Sequence, residues 1–291
     1  MTTKFKIVVL AKQVPDTRNV GKNAMKEDGT VNRAALPAIF NPEDLNALEQ
    51  ALRLKDRFPH SQIHLLTMGP ARAADIIREG LYRGADGGIL LTDRKFAGAD
   101  TLATSYALTQ ALKKIAPDII IAGRQAIDGD TAQVGPQVAE KMSLPQVTYA
   151  EDIMEYKDGR LIIKRRLERG IEIVSSTLPL VITVHGTAPE CRPRNAKFVM
   201  KYKSARTVTE DQNEENSYFA PLDSCNYLTI TEWGVSNVGG DENDYGLSGS
   251  PTKVKKIENI VFQAKESKVM RSSKEDIDSL MGELIANHTI G

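Results

Sequence analysis

Residues 123–137 read G-R-Q-A-I-D-G-D-T-A-Q-V-G-P-Q and follow directly on the apolar run Asp118-Ile119-Ile120-Ile121-Ala122. A short apolar run emptying into a polar, glycine-punctuated turn and then a helical pattern is a strand–turn–helix junction. In open α/β sheets such a junction gathers backbone N–H groups and a helix N-terminus, which makes it a place where nucleotides bind. Within it, Asp130-Thr131-Ala132-Gln133 reads as a capping start for the next helix, with Asp130 as its N-cap.

Upstream the same grammar repeats. Apolar runs at 5–10, 62–68, 88–92 and 118–122 have the length of strands buried on both faces. Helical patterns separate them. Asn41-Pro42-Glu43-Asp44 combines an N-cap residue, proline at the first helical position and acids in the first turn. Leu45, Leu48, Ala51 and Leu52 continue at helical spacing, residues 70–83 carry Ala74, Ile77 and Leu81, and residues 100–114 carry Leu102, Tyr106 and Leu112. Strands alternating with helices predict parallel βαβ units, and hence an α/β fold with a doubly wound, mainly parallel sheet.

After Pro145 the pattern changes. Residues 146–155 and 161–167 flank Lys157-Asp158-Gly159, a hairpin signal, and 172–176 and 180–185 read as two more strands, antiparallel additions to the same sheet. Residues 204–272 are rich in Ser, Asn, Asp, Glu and Gly, with only 227–231 and 256–263 strand-like, the composition of an irregular arm that packs against something else. Ser273-Lys274-Glu275-Asp276 then caps an amphipathic helix bearing Ile277, Leu280, Met281 and Leu284, a docking element for a partner. The expected division is an α/β domain over residues 1–203 and an arm with a terminal helix over 204–291.

Composition narrows the function. The chain carries 38 basic and 38 acidic side chains, so its charge favours neither nucleic acid nor an anionic membrane. Apolar segments fall short of the roughly 20 residues of a membrane span, and the N-terminus lacks a signal-type stretch, so a soluble cytoplasmic protein without membrane insertion is expected. Cys191 and Cys225 suit neither a metal pair nor a disulfide framework. His60, His64, His185 and His288 are scattered, and no G-x-G-x-x-G, Walker A, H-E-x-x-H or G-x-S-x-G motif occurs. No catalytic residue and no metal ligand is expected. The chain reads as a holder for a ligand that brings its own chemistry.

The candidate binding residues sit where the predicted strands end. Leu10, Ala11 and Lys12 follow the first strand, Met68 and Gly69 the second, and Asp100, Thr101 and Thr104 open the helix after the third. Gly123, Arg124, Gln125, Asp128, Gly129, Asp130, Thr131, Gln133, Val134, Gly135 and Pro136 line the loop quoted first, and Asn41 and Asp44 open the first helix. By the strand-end rule they converge on one crevice. They offer hydroxyls, side-chain amides and permissive glycine backbone. Carboxylates repel phosphate, so Asp128 is left either to accept from a ribose hydroxyl or to hold the turn.

An ordered set of motifs then resembles one family. K-Q-V-P-D-T at 12–17, N-P-E-D-L-N-A-L-E at 41–49, T-M-G-P at 67–70, F-A-G-A-D-T-L-A-T-S-Y at 96–106 and the loop at 123–136 are similar to the beta subunit of electron-transfer flavoproteins. G-L-S-G-S-P-T at 246–252 resembles that family's C-terminal arm. The likeness is strong over residues 4–185 and patchier beyond. It implies an adenine-nucleotide alpha-hydrolase-like fold and a heterodimer, in which an alpha subunit carries the electron-transferring FAD and the beta arm wraps around it. Ordinary members hold AMP in the beta crevice as a structural ligand. Electron-bifurcating members hold a second FAD there, which takes hydride from NADH. One electron then passes through the alpha-subunit FAD to an acyl-CoA dehydrogenase-type acceptor, the other to ferredoxin or flavodoxin.

The resemblance also separates these subclasses. AMP-type sequences commonly carry an I-D-D-D loop and lack the 96–106 segment, whereas this chain has I-D-G-D-T-A-Q-V-G-P and the whole segment. FAD is therefore the favoured ligand, with AMP the alternative. Gly129 removes a carboxylate and admits a closer backbone approach to a diphosphate, and Thr101 and Thr104 lie one helical turn apart to face a flavin edge. The family's partner-recognition loop, commonly L-N-E-P-R-Y, aligns with Ala188-Pro189-Glu190-Cys191-Arg192-Pro193. Glu190 and Arg192 are kept, but Ala188 replaces the leucine anchor and forgoes about 1–2 kcal/mol of contact. Lys197, Lys201 and Lys203 beside that loop read equally as a patch that steers an acidic partner or as a solvated basic face. A stand-alone nucleotide-binding regulator would fit the sheet, but it leaves the long arm after Gly186 without a purpose.

Overall fold

Apolar runs with little polar alternation take the middle of one sheet, because only a strand covered on both faces can bury every side chain. The computed structural model describes residues 3–16, 37–213, 222, 225–252, 269–287 and 290. Its central strands are β1 (Lys6–Leu10), β4 (Gln62–Met68), β5 (Gly87–Leu91), β6 (Ile119–Gly123) and β10 (Leu180–Val184), with β2 (Gln13–Pro15) and β3 (Ala38–Phe40) forming a separate small ribbon. The helices α1 (Pro42–Arg57), α2 (Ala74–Arg83), α3 (Thr101–Ile115) and α4 (Val134–Lys141) alternate with them. Side chains divide by strand parity. Ile7, Val9, Ile63, Leu65, Ile119 and Ile121 share a core with Leu48 and Ile77 of α1 and α2. Val8, Leu10, Leu66 and Ile120 share the other with Leu108, Leu112 and Val138 of α3 and α4. This is the doubly wound α/β arrangement that the alternation predicts.

The hairpin forms as read. β7 (Gln146–Lys157) and β8 (Arg160–Leu167) are antiparallel, turning through Asp158 and Gly159 at φ 50° and 77°. β9 (Gly170–Thr177) continues antiparallel beyond β8. The strand over 180–184 departs from expectation, since β10 lies between β6 and β7 and runs parallel to both. All five of its residues are buried, which an edge position could not provide.

The segment after residue 203 is also partly sheet. α5 (Ala196–Tyr202) leads to β11 (Arg206–Thr207) and α6 (Val208–Asn213), and β12 (Thr229–Trp233) falls two residues later than the 227–231 run predicts. β12 pairs in parallel with β5, and β11 with β12, so strands on both sides of position 203 share one sheet. Among the described residues its order is β11-β12-β5-β4-β1-β6-β10-β7-β8-β9. After α7 (Val235–Val238) the chain folds over α3, and fully buried Tyr245 meets Phe96 and Tyr106 edge-on at 5.3 and 5.0 Å between ring centres. The strand expected over 256–263, Thr17 and His288 lie outside the described residues.

The last helix, α8 (Lys274–Ala286), is capped by Ser273 as its sequence predicts, the hydroxyl accepting from the Asp276 N–H at 3.2 Å. None of its residues is buried. Among the described residues no helix is long and apolar enough to cross a membrane.

Candidate functional site

The carboxyl ends of β1, β4 and β6 lie side by side, in register from Leu10 to Leu66 and from Leu10 to Ala122. Their loops are held by the first turn of α1. Asp44 is buried, and its two oxygens accept from the backbone N–H of Lys12 at 2.9 Å and of Gly123 at 3.0 Å, tying the ends of β1 and β6 together. Glu43 accepts from the Gln125 N–H at 2.9 Å and pairs with the Arg124 guanidinium at 2.9 Å. Asn41 occupies the N-cap position of α1 without capping it; its amide donates to the Gln125 carbonyl at 2.9 Å and accepts from the Ile127 N–H at 3.2 Å. The motif at 41–44 thus serves the loop across the crevice more than its own helix. Gly123 is required there, because a Cβ would stand 2.5 Å from an Asp44 oxygen and 2.7 Å from the Glu43 backbone.

Burial dominates the Asp44 environment and pushes its carboxyl up to about 7, against the pull of the two N–H groups it accepts from. Lys12 reaches over the opening to pair with Asp128, Nζ to oxygen 2.8 Å. That ion pair joins the β1 end to the loop, one of the two kinds of role open to Asp128.

The far half of the loop differs from expectation. Asp130 is not an N-cap. It sits at φ 49°, exposed, and its carboxylate accepts from the Gln125 amide at 2.8 Å. Helix α4 begins four residues later at Val134, with Gln133 in the cap position and no side chain capping it. Residues 130–133 instead connect the turn held by Asn41 and Glu43 to α4, with Ala132 also left-handed at φ 53°. Two such non-glycine residues cost of order 1 kcal/mol each. Thr131 and Gly129 are exposed, and nothing lies within 4 Å of where a Gly129 Cβ would be. Gly135 is buried against Thr183, and Val134 and Pro136 are half-buried beside it.

Helix α3 closes one side. Asp100 is its true cap, accepting from Leu102 and Ala103 N–H at 2.9 and 3.0 Å. Thr101 donates to Gln133 at 2.8 Å and accepts from Gln137 at 3.4 Å, so it braces the loop. Thr104 is half-buried one turn further on. Leu10 and Ala11 are buried, Met68 is half-buried, and the Gly69 N–H donates to the Leu91 carbonyl at 3.0 Å.

The arm completes this wall. The Asp100 N–H donates to the Ser250 hydroxyl at 2.8 Å, and the Thr252 N–H donates to Asp100 at 3.1 Å. Ser250, Thr252 and Glu43 were not among the expected site residues. Glu43 could have been found, since an acid beside Asp44 after N-P has more to do than complement a helix dipole; the arm contacts span about 150 positions in sequence and leave no local signal.

Residues 188–192 lie apart from the crevice, on the flank of α1. Ala188 is buried and takes no part in the exposed surface, Glu190 is exposed, and Arg192 pairs with Glu49 at 2.9 Å and Asp56 at 2.8 Å. Cys191 and Cys225 are free, and burial pushes the Cys191 thiol up to about 12, far from a reactive thiolate. Among the described residues no cluster of histidine, cysteine and acids could hold a metal ion.

The crevice fits an adenine nucleotide or flavin dinucleotide. The α4 N-terminus without a side-chain cap is an anion-binding end, the loop around exposed Gly129 leaves its backbone open to approach, and the buried side-chain amide oxygen of Gln137 is an acceptor without a partner. Lys12, Thr104, Thr131 and the 129–135 backbone would hold the ligand.

Fold and crevice define a nucleotide-binding α/β protein of the doubly wound class. Residues 28–213 match the electron transfer flavoprotein domain. The electron transfer flavoprotein subunit beta of Megasphaera elsdenii is 44% identical over 260 residues, 87% of each chain. Subunit CarD of the caffeyl-CoA reductase–Etf complex of Acetobacterium woodii is 40% identical over 251 residues, 86% of each chain. The acryloyl-CoA reductase electron transfer subunit gamma of Anaerotignum propionicum is 39% identical over 291 residues, 98% of this chain and 100% of that one. The chain belongs to the electron transfer flavoprotein family, as a beta subunit.

Proposed function

We propose that this beta subunit, in a cytoplasmic heterodimer with an electron-transfer flavoprotein alpha subunit, binds FAD in the crevice and serves NADH-driven electron bifurcation. When bound, FAD supplies hydride acceptance and one-electron transfer. The chain's own residues bind and orient it. The α4 N-terminus and the backbone beside Gly129 would meet its diphosphate, Lys12 would exchange Asp128 for a phosphate oxygen, and Thr101 fixes the loop through Gln133. The observation that supports the reading is the α4 N-terminus, which no side chain caps, at the end of the exposed loop that carries Gly129. With flavin bound in both subunits, the heterodimer would pass one electron to an acyl-CoA dehydrogenase-type partner, a reading supported by relatives named for caffeyl-CoA and acryloyl-CoA reductases, and the other to ferredoxin or flavodoxin. The arm and α8 wrap the alpha subunit, which would cover the exposed Ile277, Met281 and Ile285.

A second reading, AMP as a structural ligand, is favoured by Asp128 and Asp130, whose carboxylates suit a ligand with one phosphate better than two. The deciding experiment is the flavin-to-heterodimer ratio of the co-expressed complex, with AMP assayed in the same extract. Two flavins and negligible AMP are expected; one flavin and one AMP, unchanged by excess FAD, would sink bifurcation.

A further inference from the structure

Three neighbouring parallel strands, β6, β10 and β7, bring Arg124, His185 and Tyr149 to the carboxyl end of the sheet, level with Val184. β7 has one extra residue there. Val147 pairs with Ile182 and Ala150 with Val184, so three steps on β7 match two on β10, which is a bulge. Within it Tyr149 sits in the left-handed region at φ 58°, where glycine or asparagine is the ordinary occupant. The other described non-glycine residues at positive φ are alanine, serine or aspartate, so Tyr149 is the one large ring among them. That ring is 38% exposed and lies 5.8 Å from the His185 ring at a tilt of 34°. His185 is held from behind. Its N–H donates to the Ala150 carbonyl at 2.8 Å, and its Nδ1 lies 2.9 Å from the Thr187 hydroxyl, which donates to Glu151 at 3.0 Å. The Nε2 edge has no hydrogen-bond partner among the described residues. On the other side Glu43 chiefly, against a smaller effect of burial and with Tyr149 adding to it, raises the Arg124 guanidinium above its ordinary range.

Stability does not account for Tyr149. A bulge needs an extra residue but not an aromatic one, and a side chain in the left-handed region costs more than glycine would. Burial does not offset that cost, since more than a third of the residue stays exposed. What the bulge does is aim the ring outward beside His185. An exposed ring face, an imidazole edge and a guanidinium are groups that receive a nucleobase or a similar ring. The face stacks, the imidazole nitrogen meets a polar edge, and the cation favours an electron-rich ring or a phosphate. The carboxyl ends of parallel strands are also where such ligands gather in open α/β sheets. Glu43 joins this place to the crevice, because it holds both Arg124 and the Gln125 N–H. We propose that Tyr149, His185 and Arg124 form a subsite for the planar heteroaromatic ring of a nucleotide. Such a ring has two sources, the far ring of a dinucleotide held in the crevice or a soluble nucleotide that visits the heterodimer. The first source rests on the FAD reading above, and the second does not.

The test uses the co-expressed heterodimer, with the rate of FAD release on dilution and the NADH affinity by calorimetry as separate arms. Tyr149→Asn removes the ring at a backbone conformation that asparagine tolerates. It is expected to speed FAD release about tenfold if the ring comes from the bound dinucleotide, or to weaken NADH about tenfold if it comes from solution. The urea midpoint of the variant should be no lower than the parent's. Tyr149→Phe keeps the ring and should stay within about twofold of the parent in both arms. If Tyr149→Asn does not assemble, Tyr149→Gly decides on the same readouts. Unchanged FAD release and NADH affinity in the ring-less variant overturn the subsite. An equal loss in Tyr149→Phe assigns the effect to the hydroxyl and overturns it as well. Failure of both ring-less variants to assemble, or a lowered urea midpoint alongside the loss, shows a packing role for the ring and has the same consequence. A parent complex that holds AMP in place of a second FAD fails the FAD reading alone, and the NADH arm then decides the subsite.

Discussion

α1 and α8 are both amphipathic helices, and they depart from the usual burial rule in opposite directions. α1 buries Asp44, Asn46, Glu49 and Gln50, while α8 leaves Ile277, Met281 and Ile285 about half exposed. The polar groups of α1 can be buried because each meets a partner from a loop or strand distant in sequence. Gln50, for example, donates to the Glu151 carbonyl at 3.2 Å and accepts from the Ile153 N–H at 3.0 Å. Among the described residues, the apolar groups of α8 meet nothing comparable and none of its residues is buried. A helix that buries polarity organises its own chain; one that exposes apolar surface is suited to organise a complex.

The sharpest way to break this contrast is truncation of one leucine on each helix. Leu48→Ala, at a fully buried position of α1, should cost about 2–5 kcal/mol in urea unfolding of the beta subunit. Leu280→Ala on α8, 37% exposed, should stay within about 0.5 kcal/mol in the same assay. Equal losses would show that α8 packs on its own chain. In the heterodimer Leu280→Ala should speed subunit dissociation, and an unchanged rate would deny it a partner-facing role.

The buried acid of α1 gives the next effect. Asp44 has its carboxyl at about 7 in the folded chain against 3.8 ordinarily, so protonation favours the fold. Its contribution is fully present below about pH 4 and is lost as pH rises through 7. Replacing it by Asn should remove a decline on the order of a few kcal/mol across that window, read as urea midpoints at pH 5 and pH 8. Glu151 runs the other way. Lys164 and Arg166 hold it at about 2, so its stabilisation is present above about pH 4.5 and is lost as pH falls through 2. In Glu151→Gln the acid limb of the stability profile should flatten, and an unaltered limb would count against the pairing.

The smallest expected change is at the crevice mouth. Asp128→Asn frees Lys12 from its ion pair and should tighten nucleotide binding about threefold, worth less than 1 kcal/mol because the pair is partly exposed. Isothermal titration with AMP and with FAD checks it. Weaker binding would mean that Asp128 touches the ligand rather than competing with it.

Much of the fold was legible along the chain. The unbroken apolar runs and the caps between them place β1, β4, β5, β6 and α1 to within a residue or so, and Asp158-Gly159 announces the hairpin. The rule that ligands gather at strand carboxyl ends put the expected crevice where the ends of β1, β4 and β6 lie side by side. Less legible were the contacts that link distant positions. Asp130 reads as a cap because the local pattern is that of a cap, yet the turn pinned by Asn41 and Glu43 moved the helix start to Val134. Leu180–Val184 reads as one more antiparallel strand, yet the slot between β6 and β7 demands a parallel one.

What the sequence by itself determined is therefore the alternation of central strands and helices, the hairpin and the family, since each is written in local periodicity, capping or an ordered run of motifs. What only the tertiary structure decided is the work of the polar residues. Asp44 joins two strand ends, Glu49 grips Arg192, and Ser250 closes on Asp100. A hydrogen bond depends on where two groups lie in space, and for pairs 32 to 150 positions apart that is fixed only when the sheet and its helices pack.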